Sequence, residues 1–172
     1  GNPASKGEWV ARGTLEILEN EPRPTDPEAA KKHPFSRLDL AEAIASPQNP
    51  LTARVIVNRV WQWHFGKGLV TTSSNFGLLG EAPTHPELLD WLTVNFIKNG
   101  WSVKWLHREI LKSATYQLSS ERSSKNEELD GDNRFRWRFD RRRLEVEAWR
   151  DALLAISGNL DPAMGGPTIE LS

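Results

Sequence analysis

The groups in this chain best suited to chemistry are its histidines and one arginine-rich segment. His64 and His85 stand on either side of a stretch rich in Gly, Thr and Ser, residues 66–83, so both could face one pocket. A transition metal there would need three or more His or carboxylate ligands. The nearest third ligand is Glu87 or Asp90 and no HExxH spacing occurs, so no metal site is expected. His107 falls between Val103 and Ile110/Leu111 on an apolar stripe. An imidazole in that position needs only a hydrogen-bond partner to serve as a core residue.

The second feature is Arg134-Phe135-Arg136-Trp137-Arg138-Phe139, an alternation of cations and aromatic rings. With Arg141, Arg142, Arg143 and the intervening Asp140, the segment carries +5; the chain totals −1, so the remainder carries −6. Such alternation can bind nucleic acid by phosphate contact and base stacking. It can also grip acidic or sulfated sugars through bidentate guanidinium bonds. The structural alternative is an extended segment with its aromatics inward and its arginines paired to local carboxylates such as Glu145, Glu147 and Asp151, as so acidic a remainder would allow. Arg134, Arg136, Trp137 and Arg138, with His64 and His85, are therefore the candidate ligand-binding residues.

Other chemistry is excluded by order or spacing. Gly66-Lys67-Gly68-Leu69-Val70-Thr71-Thr72 holds the ingredients of a phosphate cradle. A P-loop, however, needs four residues between its glycines and then Lys-Ser/Thr opening a helix. Glu145 and Glu147 lie two apart on a predicted helix, on different faces, and cannot act as a carboxylate pair. Nothing resembles a nucleophile elbow. The cysteine count is zero, which removes disulfides, thiolate metal sites and cysteine nucleophiles together. No catalytic residue is assignable and no cofactor is expected.

The elements that must position these groups read as helices. At 172 residues the chain is long enough to bury a core. Its balanced charge, 22 basic against 23 acidic residues, argues against a general nucleic-acid binder. Its longest apolar run, Ala152 to Ile156, is far short of the roughly 20 residues of a membrane span. Glu8–Glu19 reads as a short helix or strand, and Glu19–Pro34, with four prolines, as an extended linker. Ser36 and Asp39 cap a helix over Leu38–Ala45. Asn49-Pro50 opens another that runs to Phe65 and ends at Gly66. Thr84 and Glu87 form a capping box for a third, which stops at Asn99-Gly100. Ser102 caps a fourth, whose stripe runs from Val103 to Ala114. Residues 119–133 read as an exposed polar loop, and Arg142–Ser157 as the last helix. Trp61, Trp91, Leu92, Leu106, Ile110, Trp149 and Leu153 are the expected core. The expected fold is all-α: a single-domain helical bundle of about five main helices with long loops, residues 36–172, behind an N-terminal extension over residues 1–35.

Long stretches of the sequence occur together in a known family. They are RLDLAEAI (37–44), NPLTARVIVNRVWQWHFGKGLV (49–70), NFG (75–77), HPELLDWL (85–92), GWSVKWLHREILKSATYQLSS (100–120), DNR (132–134), RRLEVEAWRDALLAISGNLD (142–161) and GGP (165–167). In this order they resemble the uncharacterised C-terminal domain of large secreted planctomycete proteins. The resemblance implies export to the periplasm or beyond. It also implies partnership with upstream domains of the same parent protein, among which cytochrome c-like segments are frequent. It implies no reaction. The chain departs from the family pattern before Phe76-Gly77, where Ser73, Ser74 and Asn75 stand in place of a frequent acidic residue, which weakens any metal-binding role for that loop. The reading that follows is a non-catalytic helical interaction or ligand-binding module of an exported multidomain protein, with acidic polysaccharide as one partner. The alternative is part of a hydrolytic or redox enzyme completed by upstream domains.

Overall fold

Valine and isoleucine supply four of the fourteen residues of the helix Thr52–Phe65, although β-branched side chains lose rotamer freedom in a helix. Burial overrides that local cost. The computed structural model describes Gly7 and residues 10–14, 26–32 and 34–163. Among them are seven helices and no strand: α1 (Pro27–Lys32), α2 (Arg37–Ala45), α3 (Thr52–Phe65), α4 (Pro86–Lys98), α5 (Val103–Lys112), α6 (Ser124–Asp130) and α7 (Val146–Ile156). The fold is all-α. The chain divides into two units, Gly1–Phe139 and Asp140–Ser172.

The first unit is organised by α3, α4 and α5, each packed against the other two. From α3 come Ala53, Val57, Val60, Trp61 and Phe65; from α4 Leu89, Leu92 and Phe96; from α5 Leu106 and Ile110. Leu69 and Val70, just past α3, complete the cluster. Each Val, Leu, Ile or Phe among them contributes about 1.5–3 kcal/mol on full burial, enough to hold α3 helical against its β-branched content.

Most helix ends follow local signals. Ser36 and Asp39 make the reciprocal capping box of α2. Asn49 Oδ1 accepts from the N–H groups of Leu51 and Thr52, so it caps α3 as its position suggests. Gly66, at φ 81°, ends α3 in a conformation that favours glycine. Ser102 accepts from Trp105 N at the start of α5. Gly100, at φ 67°, follows the end of α4.

Five expectations are corrected. Thr84 does not cap α4. His85 holds that position without a side-chain cap bond, and Thr84 instead sends both its N–H and its hydroxyl to the Leu69 carbonyl. Residues 119–133 are not all loop, since α6 forms inside them. Pro27 does not block helix in the proline-rich stretch; it opens α1, where a missing N–H costs nothing. The last helix is shorter than expected, Val146–Ile156. Trp91, Trp149 and Leu153 are exposed by 53%, 56% and 47% and are not core residues. On α4 the buried stripe is Leu89, Leu92, Thr93 and Phe96. Trp91 is ~200° around the helix from Leu89, and Thr93 is buried by returning its hydroxyl to Leu89 O. Most of the element read over Glu8–Glu19, half of the 19–34 linker and all of the Gly-Gly-Pro at 165–167 lie outside the described residues.

Candidate functional site

The C-terminal end of α3 gathers most of the residues singled out by sequence. His64 sits on its core-facing side and reaches α5, where its Nε2 lies 2.7 Å from His107 Nδ1. Both rings are half-buried. Two tetrahedral metal bonds of ~2.0–2.1 Å would hold their nitrogens about 3.3 Å apart, so 2.7 Å marks a hydrogen bond between the rings. The Tyr116 ring meets His64 edge-on at 5.6 Å and also packs against Phe65 and Phe139. Sequence reasoning found His107 on an apolar stripe but missed His64 as its partner. The available signal was that both histidines lie on the apolar faces of helices.

Beyond Gly66 the chain enters a long loop, residues 66–85, that is built rather than slack. Asn58 on α3 is wholly buried and makes a two-way bond to Val70: its Nδ2 donates to the carbonyl (2.9 Å) and its Oδ1 accepts from the N–H (2.8 Å). Gly68 leaves room for this clasp, because a Cβ there would stand 2.7 Å from Asn58 Nδ2. Further on, Thr72 Oγ1 donates to Asn75 O and accepts from Glu81 N. Thr71 donates to Glu81, and Gly80 N donates to Gly77 O. A Cβ on Gly80 would fall 2.2 Å from Asn75 O, so only glycine fits. This frame presents Leu78 and Leu79 fully to solvent, at 105% and 93% exposure.

The arginine segment is not extended. Asp130, at the end of α6, accepts from the N–H groups of Arg134 and Phe135, both at 2.8 Å, and its carbonyl accepts from Trp137 Nε1. Asn133 is buried and bonds both N–H and C=O of Arg138. With Asn133 at φ 52° and Arg136 at φ 57°, the backbone curls into a closed turn. Alternation therefore does not sort the rings: Phe139 packs inward on Phe65 and Tyr116, while Phe135 is 68% exposed. Arg136 donates to the carbonyls of Phe65 and Lys67 and lies over the Phe65 ring. Its positive charge meets the negative end of α3. Arg138 stacks on Trp137, with its Cζ 5.1 Å from the ring. Arg134 is exposed.

His85 takes a different setting from His64. Its Nδ1 is bonded to the Thr84 hydroxyl, and its ring meets Phe135 edge-on at 6.1 Å. The 66–85 loop and the arginine turn thus touch through His85–Phe135 and Arg136–Lys67. Among the described residues no three His, Cys, Asp or Glu side chains gather as a metal ion would require. No helix among them is long and apolar enough to cross a membrane.

The motif order and this helical frame agree with one comparison. The family described as PSD1, protein of unknown function (DUF1553), matches residues 36–172. The chain belongs to that family. No curated protein and no solved structure matches it. The PSD1 match includes both the 66–85 loop and the arginine turn, so each is part of the family domain and not of the segment before it.

Proposed function

We propose that this PSD1 domain is a non-catalytic interaction module of a larger exported protein, and that it engages an upstream domain of its parent through the 66–85 loop. The observation that carries this reading is the pair Leu78 and Leu79, fully exposed at the tip of a loop whose backbone is pinned at both ends. Exposed leucines on a slack loop would mean little. Two adjacent ones on a stage fixed by Asn58, Thr72 and Gly80 are presented in one geometry, as a preorganised contact should be. The test is calorimetric titration of the domain with the rest of its parent protein. The Leu78→Ser/Leu79→Ser double variant should bind at least tenfold more weakly while keeping its helical circular dichroism. Equal affinity for both proteins would overturn the reading.

One observation favours acidic polysaccharide as a second partner: Arg134 and Phe135 stand exposed side by side on the closed turn. Binding through this pair should weaken as salt rises, because exposed charges are screened within ~8 Å at physiological ionic strength. Sulfated and neutral oligosaccharides titrated at two salt concentrations, with Arg134→Ala as control, check it. Equal negligible binding to both would leave the turn as scaffold.

A further inference from the structure

We propose that Trp91 and Trp105, with Lys104, Arg108 and Lys112, form a binding strip for a linear acidic polysaccharide on α4 and α5. Trp91 is 53% exposed. One exposed Trp alone would mean little. Trp91, however, leans on Trp105 of α5, with ring centroids 6.5 Å apart and planes inclined by 40°. Trp105 is half-buried against the core cluster and so fixes the pair from behind. The two indoles make a rigid contact surface that loses little side-chain entropy on binding.

The sequence of α5 sets cations beside this surface. At about 100° per residue, Arg108 and Lys112 fall within about 60° of Trp105, and Lys104 about 40° beyond Arg108. All three are exposed. They stand one turn apart, about 6 Å along the axis. Like charges at that spacing work against the helix. Among the described residues none of the three has an ion-pair partner. The acids of α4 and α5 are Glu87, Asp90 and Glu109. Arg54 holds Asp90 at 2.7 Å. That leaves Glu87 and Glu109 against Lys98, Lys104, Arg108 and Lys112, so cations outnumber acids by four to two.

Such a strip suits a ring with an apolar face and an anionic edge. The C–H face of a pyranose stacks on the negative face of an indole. A carboxylate or sulfate on the edge of the same sugar meets the guanidinium of Arg108, which can hold it bidentately. Successive sugars repeat both features, as successive turns of α5 repeat the cation. Single-stranded nucleic acid also offers rings and charges, but a chain of net charge −1 gives it no long-range attraction. The strip shares its ligand class with the second reading above, and rests on it for that, but it shares no residue with the Arg134–Phe135 turn.

The test is calorimetric titration of the full chain with oligogalacturonate, its methyl-esterified form and single-stranded oligothymidylate. Proton–nitrogen spectra of the indole N–H groups accompany it. Oligogalacturonate should bind, move the Trp91 and Trp105 signals, and weaken as salt rises. The ester keeps the rings and loses the charge, and should bind about tenfold more weakly. Trp91→Ala and Arg108→Ala should each weaken oligogalacturonate by about tenfold, as loss of an anchor does, with helical circular dichroism retained. Arg134→Ala should leave the indole shifts in place, which separates this strip from the closed turn. Indole signals that do not move, equal affinity for the ester, or tighter binding of oligothymidylate would overturn the strip. If Trp91→Ala does not fold, Arg108→Ala and the wild-type indole signals decide.

Discussion

Helices α4 and α7 carry the same kind of apolar pattern and meet opposite fates. On α4, Leu89, Leu92 and Phe96 are buried to within a few per cent. On α7, Val146, Trp149, Leu153 and Ile156 step along one face and none is buried. α4 has α3 and α5 to pack against, whereas the Asp140–Ser172 unit holds no second helix among the described residues. An amphipathic stripe therefore records a capacity to be buried. Whether it is used depends on a partner surface that lies elsewhere in the chain or in another molecule.

The largest effect expected from this contrast is in the core. Phe96→Ala should cost about 3–5 kcal/mol, the range for truncating a buried aromatic, and Trp149→Ala only about 0.5 kcal/mol, as for an exposed site. Urea denaturation of both variants measures this. A Trp149→Ala loss as large as that of Phe96→Ala would dissolve the contrast.

A smaller loss is expected where α3 meets the 66–85 loop. Asn58→Ala removes the clasp on Val70 and leaves a buried N–H and a buried carbonyl unsatisfied, about 1–3 kcal/mol for each. Amide hydrogen exchange should rise across residues 68–84 and stay unchanged in α7. Unchanged exchange in the loop would show that Asn58 does not fix the Leu78–Leu79 stage.

The smallest effect belongs to α2, which like α7 has no buried residue but, unlike α7, carries a full cap. The Ser36 hydroxyl, and then the Ser36 N–H, hold the Asp39 carboxyl below the usual carboxylate range. A folded-state value that is lowered means stabilisation present above the ordinary value near ~3.9 and lost as pH falls through the folded one. Amide signals of residues 37–45 should thus shift toward coil in acid before those of α4 do. Asp39→Asn should weaken α2 at neutral pH and abolish that early acid step. Simultaneous loss of α2 and α4 in acid would show that the cap is not what holds α2.

The sequence by itself determined five of the seven described helices and most of their ends, because capping and termination are settled within one turn; α1 and α6 fell in stretches read as linker and loop. Ser36 with Asp39, Gly66, Ser102 and Gly100 each act on neighbours three or four residues away. It also determined part of the core, since Trp61, Leu92, Leu106 and Ile110 fall on stripes with helical period and are buried, whereas Trp91, Trp149 and Leu153 are not. Tertiary structure decided what those local rules cannot reach. The arginine segment became a closed turn because Asp130 and Asn133 bond its backbone and two non-glycine residues adopt positive φ, against the alternation read from its side chains. Thr84 does not take its capping role because its N–H and hydroxyl are both tied to the Leu69 carbonyl, 15 residues away. His64 and His107 lie 43 residues apart, and only the packing of α3 on α5 brings their nitrogens within a hydrogen bond.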